Sequence, residues 1–289
     1  QVIFNVLLNS KLTPYVIFIL ILLSCLYYVK NYGSSVPFWD QWDADVEIIE
    51  RCENNNLDMR YLLSPHNEHR MLWGRLLILS NYIVTHNIGS ELLLYLNAFL
   101  CSLIAFFMSS WLYKDKVSSP FKQIILTLIF ILPWYQVIFI WSFLTTQIIM
   151  LLMSFITLRF ISKDNLTIYD FIVCLLFGSF TYFNMAAGFM PLMLSGLLIL
   201  YRFIFYKERK SYYIVFVIVA FIVSGIMIYF IPHVPHHDVL KIHSIKDFIN
   251  RLLHPNNVIW VIIATPPLFL ILYELIKSKL IIEKRFFFP

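Results

Sequence analysis

Charged residues are scarce in this sequence, and their scarcity excludes an ordinary soluble protein. Aspartate, glutamate, lysine and arginine make up 13% of the 289 residues, whereas hydrophobic residues make up 60%. Soluble globular domains carry about 25% charged residues. The apolar runs are long and lack the alternation of a β-strand, which excludes a membrane β-barrel. The composition therefore predicts an all-α integral membrane protein.

Cysteines are also few, which argues against a disulfide framework. Of the four, Cys25, Cys101 and Cys174 fall within apolar runs, and only Cys52 lies in a polar segment. A structural disulfide needs two cysteines in the same oxidising compartment. We therefore expect no disulfide.

Several enzyme motifs are missing from the sequence. It contains no Walker phosphate loop, no G-x-S-x-G nucleophile elbow and no H-E-x-x-H zinc motif. Nucleotide-driven pumping and the familiar hydrolase mechanisms therefore have no support. The net charge of +5 is spread among short loops instead of forming a stripe, so we expect no nucleic-acid partner.

Apolar runs divide the chain into about eight transmembrane helices, since each span needs roughly 20 residues. We predict one transmembrane domain over residues 1–289. It comprises a first span at residues 12–29, a structured loop at 30–90, the remaining spans within 91–276 and a tail at 277–289. Those remaining spans are expected at residues 91–113, 123–140, 141–161, 168–183, 185–205, 211–231 and 258–276. Within the loop, residues 71–86 are apolar but interrupted by Arg75 and Asn81, which predicts an interfacial helix.

The distribution of basic residues predicts the orientation of these spans. Lys11 and the basic segments 114–122, 206–210 and 277–289 all fall on one side of an eight-span arrangement. Basic loops face the cytoplasm, so the long first loop is expected on the extracytoplasmic face and the tail in the cytoplasm.

Polar residues concentrate in the first loop, where residues 36–75 hold eight of the 17 acidic side chains. Asp40 and Asp43 are three positions apart, so on a helix or turn they share a face. Such carboxylates can act as a general base or bind a divalent metal. The alternative is that they only solvate an outer loop that Trp39 and Trp42 anchor at the membrane interface.

The stretch HNEHR places five polar side chains, four of them ionisable, directly before the interfacial helix. Three interpretations remain open. His66 and His69 can ligate a divalent metal together with Asp40 or Asp43. Cationic side chains can instead bind a phosphate, or the stretch can simply be a polar helix cap. The residues concerned are His66, Glu68, His69, Arg70 and, one turn later, Arg75.

Two further polar residues lie near the outer ends of predicted helical pairs. Gln147 and Asn184 can face a cavity that admits substrate, or they can form hydrogen bonds between helices.

The loop motifs resemble those of bacterial membrane glycosyltransferases of the GT-C superfamily. The resemblance rests on PFWDQWD at residues 37–43 and SPHNEHRMLWGRLL at residues 64–77. WYQVIFIWSFLTTQ at 134–147 and FNMAAGFMP at 183–191 are similar to later family turns, so the likeness extends over about residues 12–191. The sequence departs from the family pattern where Ser142 and Leu144 replace an expected Gly and Gln. It also departs where three residues separate Asn184 from Gly188.

This resemblance implies a GT-C-like fold and an inverting glycosyltransferase in the bacterial inner membrane. Such an enzyme moves a sugar from a polyprenyl-phosphate carrier to a glycan or lipid-linked acceptor on the extracytoplasmic face, as in O-antigen modification. It implies Asp40, and second Asp43, as the catalytic base. The remaining expected site residues are His69, Arg70 and Arg75 for the donor phosphate and His66, Glu68, Trp39, Trp42, Gln147 and Asn184 for substrate. A transporter or flippase for lipid-linked glycans and a membrane scaffold subunit remain the alternatives.

Overall fold

A computed structural model describes residues 10–89, 91–114, 120–131, 141–205, 210–235, 238 and 244–252. It contains two compact units, Gln1–His233 and Val234–Pro289, and each is described by itself. The predicted span at 258–276, the tail at 277–289 and residues 132–140 of another predicted span lie outside the described residues. The single transmembrane domain stays a prediction.

The described part of the first unit is helical and contains no β-strand. Its helices are α1 (Thr13–Tyr32), α2 (Gln41–Glu53), α3 (Met59–Leu63), α4 (Leu72–Thr85), α5 (Glu91–Lys114), α6 (Pro120–Ile131), α7 (Thr145–Ile161), α8 (Ile168–Phe180), α9 (Met190–Phe205) and α10 (Ser211–Tyr229). Short 3-10 turns precede α7 (Ser142–Leu144), follow α8 (Thr181–Phe183) and precede α9 (Ala186–Phe189). The second unit has one described helix, α11 (Ile245–Leu252).

Five helical segments are long and apolar enough to cross a membrane. They are Thr13–Tyr32, Glu91–Lys114, Ser142–Ile161, Ala186–Phe205 and Ser211–Tyr229. Phe121–Ile131 and Ile168–Phe183 are apolar but shorter. The predicted class of helical, multi-pass membrane protein is therefore confirmed at this level.

Two apolar cores hold the long helices together. Ile21 of α1 packs with Leu94 and Ile104 of α5, while Leu192 of α9 packs with Tyr213 of α10. The opposite faces of these helices expose many large apolar side chains, including Leu23, Ile218 and Ile222. Exposed apolar surface of this extent is expected on helices that contact lipid.

Contacts between the helix termini divide the first unit into two ends. At one end, Lys163 pairs with Asp170 at 2.6 Å, and the Arg202 guanidinium donates to the Lys163 carbonyl at 2.6 Å. At the other, here called the loop end, α2–α4 meet the 3-10 turns and the C-terminus of α10. The helices thus alternate in direction, as the predicted spans do.

The first loop is folded, with three helices and an apolar core of its own. Ile48 and Ile49 of α2 are buried against Ile78 of α4, and Leu62 of α3 joins them. Burying side chains of this size stabilises a fold by about 1.5–3 kcal/mol each. The helix predicted at residues 71–86 is present as α4 (Leu72–Thr85), and its place at a bilayer interface stays a prediction.

Gly74 brings α4 into close contact with α7. Gly74 is buried, and a Cβ atom added there would overlap the Thr146 methyl group. Thr146 is itself buried and β-branched, so it has little freedom to move aside. The close approach of these two helices therefore depends on a glycine at this position.

We expect Gly74→Ala to destabilise the protein by about 1–3 kcal/mol because the added methyl group overpacks this contact. The measurement is thermal unfolding in detergent. Thr146→Ser removes the opposing methyl group, so the double variant should recover most of the loss. Gly225→Ala is the matched control, since nothing lies within 4 Å of a Cβ atom there. Equal effects of Gly74→Ala and Gly225→Ala would contradict the assigned contact.

Candidate functional site

Asp40 lies in a tight turn that leads directly into α2. It precedes the first helical residue and is half-buried, whereas Asp43, in the first turn of α2, is exposed. Carboxylates are favoured at this end of a helix, where the backbone N–H groups carry partial positive charge. Trp39 adopts a φ of 51°, which is unusual for a bulky residue, and 72% of it is exposed.

Aromatic rings surround this turn. Trp39 and Phe38 lie 6.0 and 5.9 Å from the Trp141 ring, and Trp141 stacks on Phe143 at 5.3 Å. Trp42 is exposed on the first turn of α2. The carboxylate of Asp40 is therefore flanked by exposed aromatic surface at the loop end.

The Gln41 side chain connects this turn to the membrane helices. Its Oε1 accepts a hydrogen bond from the Phe38 N–H at 3.1 Å. Its Nε2 donates to Asp45 Oδ2 at 2.9 Å and to Ser142 Oγ at 2.6 Å. Ser142 begins the helical segment that continues as α7, so α2 is attached to the bundle through this amide.

Asp45 is a buried carboxyl group without a charged partner among the described residues. Burial raises its pKa to about 7, and the hydrogen bond from Gln41 opposes that shift. Its Oδ1 has no hydrogen-bond partner in the part of the chain that the structure describes. At neutral pH a large fraction of Asp45 is therefore protonated and uncharged.

The HNEHR stretch forms a compact turn that faces the two acidic residues. The His66 N–H donates to the His69 carbonyl at 2.7 Å, and the reverse bond is 3.0 Å long. Burial lowers the pKa of His66; the carboxylates of Asp40 and Asp43 oppose this effect. His66 Nε2 is buried and accepts or donates no hydrogen bond within the described ranges. The structure thus places His66 within the electrostatic field of both predicted catalytic carboxylates.

The other side of this turn contacts the ends of α8, α9 and α10. His69 Nδ1 accepts a hydrogen bond from the Ala186 N–H at 3.3 Å. Arg70 donates to the Tyr182 hydroxyl at 3.0 Å and to the Leu63 and Phe230 carbonyls at 3.2 Å. Its partners are all neutral groups, so its positive charge is not balanced by an ion pair among the described residues.

Arg75 is engaged differently from Arg70. It is 4% exposed, and its Nη1 donates to the Tyr61 carbonyl at 2.7 Å and to the Leu62 carbonyl at 3.1 Å. The guanidinium also lies 4.6 Å from the centre of the Tyr61 ring. These contacts join α3 to α4, so the structure gives Arg75 a role in holding the loop together. Its predicted contact with a donor phosphate stays a prediction.

The remaining predicted residues are more scattered. Asn184 is fully buried between two 3-10 turns, and no described residue forms a hydrogen bond with its Oδ1. Glu68 is half-buried near the tip of the HNEHR turn. Gln147 is exposed on the first turn of α7, and no hydrogen bond among the described residues connects it with the loop. No group of three His, Cys, Asp or Glu side chains within the described residues is arranged to hold a metal ion.

The sequence interpretation missed the buried amide and carboxyl that support the site. Gln41, Ala44, Asp45, Ile48 and Ile49 form the buried face of α2. Their helical spacing was a usable signal, because a glutamine and an aspartate on an otherwise apolar stripe need partners in the interior. Their partner Ser142 is far away in the sequence and carried no such signal.

We expect the free energy of unfolding to fall as pH rises from about 4 through about 7, because Asp45 ionises at its ordinary pKa only when unfolded. Within that window one retained proton contributes a slope of about 1.4 kcal/mol per pH unit. Asp45→Asn should remove this component in chemical denaturation measured across the pH range.

The control for this experiment is Glu50→Gln, which removes an exposed carboxylate from the same helix. Other ionisable side chains lie on the same and adjoining elements, among them Glu47, Arg51 and Arg75, and within the described residues none forms an ion pair with Asp45. A pH profile that is the same for Asp45→Asn and the unmodified protein would contradict a raised pKa at Asp45.

Comparison with known proteins does not assign the chain to a family. No family model, no curated protein and no solved structure matches it. The resemblance to GT-C glycosyltransferases therefore stays a prediction from the loop motifs. What can be said of function rests on the placement of Asp40, His66, His69 and Arg70 at the loop end.

Proposed function

We propose that this chain is an eight-span, inverting glycosyltransferase of the bacterial inner membrane that uses a polyprenyl-phosphate sugar as donor. The observation that supports this proposal most strongly is the meeting of carboxylates and an unbalanced cation at one end of the helices. The carboxylates of Asp40 and Asp43 interact electrostatically with His66 on one side of the HNEHR turn. The Arg70 guanidinium lies on the other side of this turn, where it contacts Tyr182. The active site would then face the extracytoplasmic side.

The proposed reaction is a single displacement at the anomeric carbon. The Asp40 carboxylate takes the proton of the acceptor hydroxyl, and the hydroxyl oxygen forms a bond to the anomeric carbon. The bond from that carbon to the phosphate oxygen breaks, and its electron pair leaves with the polyprenyl phosphate. Asp43 is the second candidate for the base because it is more exposed and lies one helical turn further on.

Arg70 is the residue best placed to stabilise the departing phosphate. Its charge is held by neutral oxygen atoms, and it is only half-buried. A fixed cation at the position where negative charge develops is an effective form of transition-state stabilisation. His69, whose Nδ1 accepts a hydrogen bond from the Ala186 N–H, is the second residue proposed to contact the donor phosphate.

The location of charged residues favours an enzyme over a transporter. In the five long apolar segments the charged side chains are Lys30, Glu91, Lys114, Arg159 and Arg202, all within about one turn of a helix end. A transporter or flippase is expected to present polar groups along a route through the middle of the bilayer. The described helices offer no charged side chain at that depth.

We expect Asp40→Asn to reduce sugar transfer by about 10²–10⁴-fold, the usual contribution of a general base. The measurement is transfer from a polyprenyl-phosphate sugar in reconstituted vesicles. Asp43→Asn should have a smaller effect, and Glu50→Gln, on the same helix but exposed, should behave like the unmodified protein. Unreduced transfer by both aspartate variants would remove the proposed base.

We expect Arg70→Gln to raise the KM for the donor by at least about tenfold, which corresponds to about 1.4 kcal/mol of lost phosphate binding. Donor titrations of the transfer rate measure this effect. Tyr182→Phe is the matched control, because it removes the hydroxyl that Arg70 contacts but leaves the charge in place. If Tyr182→Phe raised the KM as much as Arg70→Gln did, Arg70 would act through the fold and not through its charge.

A further inference from the structure

Three polar side chains are completely enclosed where α2 meets the start of the α7 segment. Gln41 and Asp45 are each 2% exposed, and Ser142 is 3% exposed. Burying polar groups is costly unless they form hydrogen bonds with each other. An apolar contact would attach α2 to the bundle without the free-energy cost of removing polar groups from water. The buried polar contact is therefore expected to have a specific role.

The hydrogen bonds leave only one orientation for the Gln41 amide. The Phe38 N–H can only donate, so the amide oxygen must face it. The two amide hydrogens are then directed to the two acceptors, Asp45 Oδ2 and Ser142 Oγ. The amide of Gln41 is therefore oriented from three sides at once.

The same amide stabilises an unfavourable backbone turn. Trp39 has a φ of 51°, a left-handed conformation that is costly for a bulky side chain. The turn is closed by the Gln41 N–H to the Phe38 carbonyl at 3.2 Å and by the Trp42 N–H to the Trp39 carbonyl at 3.0 Å. The Gln41 side chain adds the bond to Phe38 that completes the turn. Asp40 lies inside this turn, so its location follows from these bonds.

We infer that Gln41 is a positioning residue, which Asp45 and Ser142 hold in place so that it fixes the Asp40 carboxylate relative to the membrane helices. The inference rests on the proposed function in one respect, namely that Asp40 is the group that receives the acceptor proton. Gln41 itself is enclosed and does not touch substrate. Its loss should therefore affect the rate of the chemical step and leave donor binding at Arg70 unchanged.

The side chain at position 45 must accept a hydrogen bond from Gln41, and it need not be charged. Asp45→Asn keeps an oxygen for the Gln41 amide, so it should preserve the turn and the transfer rate. Asp45→Leu keeps the branched shape of the side chain but removes the acceptor, so it should act like a Gln41 variant. This pair separates the hydrogen bond from simple filling of the space.

The central experiment compares Gln41→Met with the unmodified protein in two independent measurements. The first is the fluorine NMR resonance of Trp39 in protein labelled with 5-fluorotryptophan, assigned with Trp39→Phe. The second is kcat and KM for sugar transfer in vesicles. We expect Gln41→Met to shift or broaden the Trp39 resonance and to lower kcat by up to about 100-fold, the cost of a misplacement near 1 Å. The KM for the donor should stay within about twofold.

Asn81→Leu is the control for general loss of stability. Asn81 is another buried amide of the first loop, on α4, and it donates to the Gly89 carbonyl at 3.1 Å. Its variant should lower the melting temperature without moving the Trp39 resonance or kcat. If Gln41→Met does not fold, Ser142→Ala takes its place in both measurements. Ser142→Ala removes only the hydrogen bond between Gln41 Nε2 and Ser142 Oγ.

Two results would overturn the inference. One is an unchanged Trp39 resonance in Gln41→Met or its substitute. The other is an equal loss of kcat in Gln41→Met and Asn81→Leu. If the unmodified protein transfers no sugar, the proposed function fails, whereas the Trp39 resonance still decides whether Gln41 positions the turn.

Discussion

Polar groups buried where the first loop meets the membrane helices must find partners within the protein, and this requirement sets the position of the candidate site. The clearest case is the hydrogen bond of 2.6 Å from Gln41 to Ser142, which joins residues 101 positions apart in the sequence. The bond from Ala186 to His69 and those from Arg70 to Tyr182 and Phe230 act in the same way. Together they attach the loop to the ends of several helices, so that loop residues and helix ends form one surface.

Charge is distributed unevenly over this surface. Exposed or half-buried carboxylates lie beside the aromatic turn, while the cation of Arg70, the last residue of the HNEHR stretch, donates to neutral oxygen atoms. Arg75 has the same charge but is buried against backbone carbonyls, where it contributes to the fold. A reaction that deprotonates a hydroxyl and releases a phosphate needs a base and a cation at separate places, which is the arrangement that the loop offers.

Hydropathy predicted a helical, multi-pass membrane protein, and five of the described helical segments are long and apolar enough to cross a bilayer. Apolar length carries this signal because it determines which segments can span a bilayer. Local motifs in the sequence also singled out Asp40, Asp43 and the HNEHR stretch as candidate site residues. The buried residues that hold this region in place, Gln41, Asp45 and Ser142, were not predicted. The sequence shows that a buried polar residue needs a partner, but it does not show which residue that partner is. Arg75 illustrates the same limit. It stands out in the sequence because it interrupts an apolar stretch, but its carbonyl partners on α3 depend on how the chain folds back.

The central claim is that a lipid phosphate binds at the loop end beside Arg70. Its most direct test is photo-crosslinking with a polyprenyl-phosphate analogue that carries a diazirine next to the phosphate, followed by mass spectrometry of the labelled peptides. The account predicts adducts on the HNEHR turn or on the segment from Tyr182 to Ala186, and competition by unlabelled donor. Competable adducts confined to the opposite end of the helices, around Lys163 and Asp170, would contradict it.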